Sequence, residues 1–278
     1  LPAAVAIVNP SLPGSTYPFK YLTGVGTAFK VMQALYQRKK VELPDELYVY
    51  VTLGTISDVG LMRDENRYLV SKGMDLLKKS EIPGIDALIE VCNASKKNLS
   101  TQDMSFGIIP RINVAGRLDH ANLSLMLLLA SDGAEAGRLA AKLDEMNKKR
   151  QMITEKAMLE AKNQIKSDFE NGVPSIIFAG KSNWIPGILG LIAGRLSEEY
   201  HRPAIVASGQ GETFRASARS IPEFNMINAL DMCSDSFEQY GGHPMAAGFT
   251  IRKDNLREFR TKMSSVADEL LMGLNVQP

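Results

Sequence analysis

One long helical pattern near the middle of the chain constrains its fold more than any other feature. The stretch "AEAGRLAAKLDEMNKKRQMITEKAMLEAKNQIKSD" covers about 35 residues, and Arg150 interrupts its apolar stripe. The stripe consists of Leu139, Leu143, Met146, Ile153 and Ala157. At about 1.5 Å per residue, such a helix is on the order of 50 Å long. Length and charge of this kind are typical of a connection between two bodies. We therefore predict a helix over 134–170 that joins a domain at 1–133 to a domain at 171–278.

Apolar runs alternate with helical patterns before this helix. We predict strands over "AVAIVNP" and "LYVYVTLGTISD", and helices over "LTGVGTAFKVMQALYQRKK" and "ENRYLVSKGMDLLKKS". From Ile85 to about Asp132 the pattern is mainly helical, with an interruption at "GIIPRINVAGRLDH". Strands that alternate with helices imply a mostly parallel sheet with helices on its faces.

A second α/β pattern follows the long helix. Strands are predicted over "SIIFAG", "PAIVAS", "ETFRASARS" and "MAAGFTI". Helices are predicted over "GILGLIAGRLSEEY", "FNMINALDMCSDSFEQY" and "NLREFRTKMSSVADELL". The expected fold class is therefore α/β, with two α/β domains joined by a long helix.

Charge and composition exclude several classes of protein. Lys plus Arg number 32 against 31 for Asp plus Glu, so any nucleic-acid surface must be a local patch. Cys92 and Cys233 lack CxxC spacing, which indicates a reducing cytoplasm and no structural zinc. No apolar run reaches the roughly 18 to 20 residues that span a bilayer, so we expect a cytoplasmic protein without a membrane partner. Because the sequence lacks an initiator Met, we also expect a fragment of a longer protein.

Two candidate sites fall in the first half of the chain. "TGVGTAFK" pairs a glycine turn with a helix start and Lys30, but it lacks the spacing of a P-loop, so a plain turn and helix cap is the alternative. Asp58 is expected at the C-terminal end of a strand, the edge where open α/β sheets bind ligands. It would either ligate a divalent metal or cap the following turn.

Two arginine-rich segments are candidate anion sites. "PRINVAGRL" offers Arg111, Asn113 and Arg117, because guanidinium groups bind phosphate bidentately; surface arginines at a helix start are the alternative. "FRASARS" places Arg215, Ser217 and Arg219 on one face of a strand, followed by Ser220. An exposed polar strand face is the alternative there.

A histidine turn completes the candidates. In "YGGHPMAAGFT", Gly241 and Gly242 would permit backbone angles closed to other residues, and would present His243 on a tight turn to a phosphate or sugar. Trp184, the only tryptophan, would stack a base or lie in a core. His120 and His201 have no partners at ligand spacing and are expected to be structural or exposed.

Six segments, taken in order from Leu1 to about Ile251, resemble the RecJ-like members of the DHH phosphoesterase family. The matching segments are "LPAAVAIVNP…YPFKYLTGVGTAFK", "LGTISDVGLMRDENRYLV", "PRINVAGRL", "NWIPGILGLIAGRL…YHRPAIV", "ASARSI" and "GGHPMAAGFTI". The resemblance implies a metal-dependent nuclease with two Mn²⁺ or Mg²⁺ ions in the DHH domain. It further implies a long helix to a DHH-associated domain, and single-stranded DNA threaded between the domains and degraded from the 5′ end in repair and recombination.

The resemblance also assigns roles to individual residues. Asp58 matches the last metal-ligand aspartate and is the one expected catalytic residue of this chain. The implied substrate-binding residues are Arg111, Asn113, Arg117, Ser217, Arg219, Ser220, Gly241, Gly242 and His243. Single-strand-binding proteins or helicases are implied partners. The family's DHH triplet comes before the first matching segment, so most metal ligands are expected upstream of this chain.

The match has departures, and other functions stay open. Ile185 stands where the family commonly has histidine, which weakens a substrate contact near Trp184, and Ala216 stands where glycine is usual. One alternative is a DHH phosphodiesterase acting on short oligonucleotides or cyclic dinucleotides. A second is a non-catalytic single-strand-binding relative, and a third is an unrelated nucleotide-binding α/β protein.

Overall fold

The chain divides into two compact units. The computed structural model describes residues 3–169 and 172–276. The first unit comprises Leu1–Ala115 and His120–Asn147, and the second comprises Gly116–Asp119 and Lys148–Pro278. Within the described residues the protein has α-helices and one five-stranded sheet, so the predicted α/β class is confirmed.

Helices make up the regular structure of the first unit, as far as its residues are described. They are α1 (Gly24–Lys39), α2 (Glu46–Ser57), α3 (Asp64–Leu77), α4 (Pro83–Val91), a 3-10 turn (Lys96–Asn98), α5 (Thr101–Asp103), a π-helical turn (Met104–Ile108), α6 (Ile109–Leu118) and α7 (Asn122–Leu129). The last three residues of α6 belong to the second unit. The side chain of Thr23 caps α1 by accepting a hydrogen bond from the Gly26 N–H. Lys40 ends α1 in the left-handed conformation, with φ of 56°.

Two strand predictions in this unit are wrong. Residues 3–10 form no strand, and the side chains of Val5 and Val8 are exposed. "LYVYVTLGTISD" forms α2, in which seven residues are buried. Because α2 is buried on most sides, it lacks the one-sided apolar stripe of a surface helix, and its β-branched residues imitate a strand. The mostly parallel sheet expected here is therefore absent from the described part of this unit.

The predicted interruption at "GIIPRINVAGRLDH" is also wrong. The backbone is helical from Thr101 to Leu118 without a break, through the π-helical turn into α6. Pro110 is the second residue of α6 and follows the π-helical turn, where the regular hydrogen-bond ladder is already disturbed. Proline therefore does not end the helix at this point.

The predicted long helix is α8 (Gly133–Ile165, 33 residues), followed by a short 3-10 turn at Lys166–Phe169. Its residues up to Asn147 belong to the first unit and those from Lys148 to the second. Within the second unit, Ala157, Met158, Ala161 and Ile165 are buried in a core with α9 (Pro186–Tyr200) and strands of the sheet. The domain boundaries at 133 and 170 stay a prediction.

The second unit is built around the five-stranded sheet. Its strands are β1 (Ile177–Gly180), β2 (Ala204–Ser208), β3 (Thr213–Arg219), β4 (Phe237–His243) and β5 (Ala246–Arg252), in the order β1-β2-β3-β5-β4. The β1–β2 pair is parallel, as its helical connection α9 requires, and the other pairs are antiparallel. The four predicted strands are confirmed as β1, β2, β3 and β5.

The two faces of this sheet have separate cores. α8 and α9 pack on one face, against Ile177, Ala204 and Val206. The helices α10 (Met226–Asp231) and α11 (Leu256–Leu271) pack on the other, against residues such as Ala218 and Phe249. Side chains of β3 alternate between the two faces.

The helix predicted over "FNMINALDMCSDSFEQY" is only partly correct. Helical structure is limited to α10 and a 3-10 turn at Ser234–Ser236, after which β4 begins. A register irregularity between Phe237 and Gln239 places Phe237 and Tyr240 on the same core face, with ring centroids 5.2 Å apart. The resulting spacing of three between aromatic residues resembles a helix more than a strand.

Candidate functional site

Asp58 lies at the end of a helix, so its predicted position at a strand end is wrong. It follows α2 directly and its side chain is exposed. The Val59 N–H donates to the Ile56 carbonyl at 3.1 Å and the Gly60 N–H donates to the Thr55 carbonyl at 3.0 Å, the two bonds of a Schellman cap. Within the described residues, no hydrogen bond or ion pair engages the Asp58 carboxylate. The carboxylate is therefore available to a ligand.

The glycine turn of "TGVGTAFK" and Asp58 line the same cavity. This cavity has a volume of about 320 Å³, and its lining consists of Thr23, Gly24, Val25, Gly54, Ser57 and Asp58. Gly54 is required there, because a Cβ would come within 2.5 Å of the Val25 Cγ1. Lys30 is not part of the lining, since its Nζ lies 2.8 Å from a Glu65 carboxylate oxygen. The turn therefore acts as a helix cap beside Asp58, and its lysine is paired elsewhere.

Asn113 supports this region, whereas Arg111 is already engaged. The Asn113 Nδ2 donates to the Ser57 Oγ at 3.2 Å, next to Asp58 in sequence. The Arg111 Nε and Nη2 lie 2.8 and 2.6 Å from one Asp144 oxygen, and its Nη1 donates to the Gly107 carbonyl at 2.9 Å. Both side chains of this ion pair are mostly buried. Substrate binding by Arg111 stays a prediction that this pairing does not favour.

A complete metal site needs more ligands than this unit supplies. No group of three or more His, Cys, Asp or Glu residues that could hold a metal is present among the described residues. Mn²⁺ and Mg²⁺ prefer oxygen ligands, and Mg²⁺ takes six in octahedral geometry. Asp58 has the right donor chemistry but can provide only one part of such a set.

Arg219 and Ser217 of β3 form the centre of a second candidate region, in the second unit. The Arg219 Nη1 donates to the Ser217 Oγ at 3.1 Å and to the Ala218 carbonyl at 2.8 Å. Gly190 on α9 leaves space for this guanidinium, because a Cβ there would lie 2.8 Å from the Arg219 Nη2. No carboxylate pairs with Arg219 among the described residues.

Arg117 approaches the same helix through another glycine. Its Nη1 donates to the Gly187 carbonyl at 3.3 Å, and a Cβ on Gly187 would overlap the Arg117 backbone carbonyl. Burial lowers the pKa of the Arg117 guanidinium, and the charge of Arg219 lowers it further. Burial also lowers the pKa of Arg219 itself. Partly buried guanidinium groups whose charges repel each other are stabilised by an anion.

Two further arginines belong to this region and were not among the predicted site residues. Burial lowers the pKa of Arg150, and the charges of Arg117 and Arg195 lower that pKa further. We define the arginine cluster as Arg117, Arg150, Arg195 and Arg219. Two sequence signals point to it: Arg150 interrupts the apolar stripe of α8, and α9 carries glycines at 187, 190 and 194, which share one helical face.

His243 is the last residue of β4, and the turn that follows it consists of Pro244 and Met245. Its exposed ring accepts a hydrogen bond at Nδ1 from the Met245 N–H at 3.3 Å. The expected role of the glycines as residues of unusual backbone angle is wrong, because neither Gly241 nor Gly242 has positive φ. Gly242 is needed instead for close strand packing, since a Cβ would lie 2.6 Å from the Ala247 Cβ.

The remaining candidates are engaged in the fold. Ser220 is buried and its hydroxyl donates to the Phe224 carbonyl at 2.6 Å, so a role in substrate binding stays a prediction that the geometry does not favour. Trp184 is 6% exposed and its Nε1 donates to Glu160 at 2.9 Å, which contradicts base stacking and confirms a core position. His201 ends α9 and lies 3.6 Å from Glu223, and His120 is exposed.

Comparisons with known proteins find one matching domain and several similar proteins. Residues 172–269 match the DHHA1 domain. The chain is 37% identical over 274 residues to the single-stranded-DNA-specific exonuclease RecJ of Bacillus subtilis (strain 168), covering 98% of this chain and 34% of that protein. It is 34% identical over 290 residues to RecJ of Escherichia coli (strain K12), covering 98% of this chain and 50% of that protein.

Solved structures agree with these matches. RecJ from Thermus thermophilus in complex with Mg²⁺ superposes with a TM-score of 0.85 at 30% identity, covering 94% of this chain and 40% of that chain. An exonuclease RecJ bound to manganese gives 0.78 at 28% identity, covering 95% and 66%. The fold and the matched DHHA1 domain resemble those of the DHH phosphoesterase class.

Within that class, the chain is similar to the RecJ exonucleases over nearly all of its length. It spans between a third and a half of the length of the two curated relatives described. No helix among the described residues is long and apolar enough to cross a membrane.

Proposed function

We propose that the full-length protein is a RecJ-like nuclease that hydrolyses phosphodiester bonds of single-stranded DNA from the 5′ end, in repair and recombination. The observation that carries this proposal is that Arg117 and Arg219 both reach glycines of α9, at Gly187 and Gly190, beside Ser217 and without a carboxylate partner among the described residues. Similarity to single-stranded-DNA-specific exonucleases supports the choice of substrate.

The arginine cluster is suited to a phosphate of the DNA backbone. Guanidinium groups donate two parallel hydrogen bonds to phosphate oxygens, and partial burial strengthens these bonds because water competes less. The Ser217 hydroxyl can donate to the same phosphate while it accepts from Arg219. Arg219 on β3 and His243 on β4 lie on either side of Ala246 on β5, so they share one face of the sheet. His243 can therefore donate a further hydrogen bond to the same strand of DNA.

Asp58 is proposed to bind one of two Mn²⁺ or Mg²⁺ ions in the full-length protein. When bound, such ions lower the pKa of a water molecule and stabilise charge on the attacking and leaving oxygens. Asp58 would contribute a carboxylate oxygen, held at the end of α2 by the Schellman cap. Asn113 would support it through Ser57. The solved RecJ structures that contain Mg²⁺ or Mn²⁺ support a divalent ion, and most of its ligands would come from outside this chain.

The other predicted substrate-binding residues have weaker support. Gly241 is exposed and no atom would lie within 4 Å of a Cβ on it, so a ligand can reach the backbone there. Arg111 and Ser220 would act indirectly, by holding the helix and strand that carry the contacting residues. Single-strand-binding proteins or helicases are proposed as partners on the basis of the resemblance alone.

Two substitutions in the full-length protein test the two halves of this proposal. Asp58→Ala should lower Mn²⁺-dependent hydrolysis by about 100-fold or more, the scale of removing a group that acts directly on the reaction. Arg219→Ala should weaken metal-free binding of a 5′-phosphorylated single strand by about tenfold or more. It should also reduce the salt dependence of binding by roughly 0.7 log units per log unit of salt.

Arg257→Ala is the matched control for Arg219→Ala. Arg257 is an exposed cation on α11, which covers the opposite face of the sheet. Full hydrolysis by Asp58→Ala would remove Asp58 from the metal site. Equal weakening by Arg219→Ala and Arg257→Ala would mean that general charge, and not the arginine cluster, binds the strand.

A non-catalytic single-strand-binding relative is the second candidate. The arginine cluster suits this candidate equally well, because phosphate binding by guanidinium groups needs no metal. Strand binding by the full-length wild type without hydrolysis at any concentration of Mn²⁺ or Mg²⁺ would establish this candidate. A third outcome, hydrolysis restricted to two- to five-nucleotide substrates, on the order of the shortest single-strand site sizes, would indicate a short-oligonucleotide phosphodiesterase instead.

A further inference from the structure

One face of the sheet in the second unit carries polar and small residues where β3, β5 and β4 lie side by side. Hydrogen-bonded pairing aligns these residues in rows across the strands. The first row is Arg219, Ala246 and His243, and the second row is Ser217, Gly248 and Gly241. Gly248 and Gly241 are exposed, and beyond the strands themselves no side chain covers the second row at their positions. The second row therefore forms a shallow, open passage next to Arg219.

A third row lies beyond this passage and contains another arginine. It consists of Arg215, Thr250 and Gln239. Arg215 alternates with Ala216 and Ala218, whose side chains are buried on the opposite face, so it points to the same side as Ser217 and Arg219. Its side chain is exposed, and no hydrogen bond or ion pair engages it among the described residues.

The charge of Arg215 contrasts with that of the next arginine along the face. Arg252 lies opposite Thr213, one row further, and its Nη2 is 3.4 Å from a carboxylate oxygen of Glu212. Thr213 and Arg252 form the fourth row, and the pairing with Glu212 neutralises its charge. The unpaired positive charge on this face thus extends from Arg219 to Arg215 and ends there.

The spacing of the rows matches successive positions on a nucleic acid strand. The Arg219 guanidinium is held over the second row by its hydrogen bond to Ser217. Arg215 emerges from the third row, two residues away, which is about 6.6 Å along a β-strand. This distance is comparable to the length of one extended nucleotide, so one phosphate at Arg219 would bring the next within reach of Arg215.

We propose that Arg215 forms a second phosphate subsite, in which an extended single strand follows β3 from Arg219 to Arg215 across the open glycine row. This inference rests on the proposed function and adds the direction of the strand over the DHHA1 sheet. The subsite contacts a phosphate and no base, so it distinguishes substrates by length and not by sequence. A mononucleotide would use only the arginine cluster, whereas a longer strand would use both positions.

Metal-free binding to the full-length protein tests this subsite without any hydrolysis. The two probes are thymidine 5′-monophosphate and a 5′-phosphorylated oligothymidylate of about twelve nucleotides, within the range of single-strand site sizes. Arg215→Gln should weaken oligonucleotide binding about 2- to 5-fold, as expected for an exposed charge contact. It should leave mononucleotide binding unchanged. Arg215→Lys keeps the charge and should recover most of the affinity.

Two controls distinguish a phosphate contact at Arg215 from a general loss of charge or of folded protein. Arg257→Gln removes the same charge from the opposite side of the sheet and should change neither affinity. Urea unfolding checks that each variant is folded, which we expect because the Arg215 side chain is exposed and makes no hydrogen bond or ion pair among the described residues.

Each other outcome has a definite meaning. Equal loss for both probes would place Arg215 in the first phosphate site and overturn the second one. No loss for either probe would remove Arg215 from the strand's path. If the wild type binds mononucleotide but no oligonucleotide, the proposed function itself fails, and the subsite fails with it.

Discussion

Gly190 offers a test in which stability and binding should change in opposite directions. It lies inside α9, and a Cβ at this position would be 2.8 Å from the Arg219 Nη2 and 3.1 Å from the Ser217 Oγ. An ordinary contact begins at 3.4 Å, so in Gly190→Ala the guanidinium must move by about 0.6 Å. Because the displaced atoms are the end of a flexible side chain, the fold should accept this movement.

The expected magnitudes follow from this geometry. Alanine is preferred over glycine in a helix by about 0.8 to 1.0 kcal/mol, so Gly190→Ala should raise the free energy of unfolding by up to about that amount. The shifted guanidinium should weaken its hydrogen bonds to phosphate by about 1 kcal/mol, which is roughly a fivefold loss of affinity. Urea unfolding measures the first quantity, and metal-free titration with a 5′-phosphorylated single strand measures the second.

Gly194 provides the matched control on the same helix. A Cβ there would meet the Arg219 Cγ at 4.0 Å, an ordinary contact, so Gly194→Ala should stabilise the helix similarly without displacing the guanidinium. If both variants bind the strand as the wild type does, the position of Arg219 does not determine binding. If both weaken it equally, flexibility of α9 is responsible and the steric mechanism is refuted.

Two further predictions concern the first unit. Val59 is a β-branched residue in the left-handed conformation, with φ of 52° and an 88% exposed side chain. Because glycine adopts this conformation without steric cost, Val59→Gly should raise the free energy of unfolding by about 1 kcal/mol. An unchanged urea midpoint would argue against the left-handed turn beside Asp58. Although burial alone would raise the pKa of Glu65, hydrogen bonds from Lys30 and Tyr17 lower it below its usual value of 4.5. The ionised Glu65 carboxylate therefore stabilises the fold above pH 4.5, and this contribution is lost as the pH falls through the lowered pKa. Glu65→Gln should be less stable than wild type at neutral pH and equally stable in acid. A constant difference at all pH values would contradict this assignment.

The sequence predicted the second unit better than the first, for a physical reason. Strands β1, β2 and β5 were predictable because short apolar runs are bounded by glycine and proline, and β3 because its polar and apolar residues alternate. In the first unit, the residues of α2 are buried on most sides, so its apolar residues do not recur at helical spacing. Its β-branched residues therefore suggested a strand. The strand β4 was missed because its irregular register gives Phe237 and Tyr240 a helical spacing.

In the candidate site, contacts within one strand could be predicted from the sequence, and contacts between helices could not. Alternation along β3 was sufficient to place Ser217 and Arg219 together. The break at Arg150 and the glycine face of α9 mark the two helices, but the participation of Arg150 and Arg195 depends on how α8 and α9 pack within the second unit. Conversely, the roles first given to Gly241 and Gly242 rested on backbone angles that the hairpin does not need, since Gly242 serves close packing.

The most direct test of the central claim is the product pattern of the full-length protein on labelled DNA with Mn²⁺. Single strands labelled at the 5′ or the 3′ end, and the corresponding duplex, would be compared over time. We predict immediate release of 5′-labelled mononucleotides from the single strand, gradual shortening of the 3′-labelled strand, and no degradation of the duplex. Release from the 3′ end first, or equal degradation of the duplex, would contradict the proposed function.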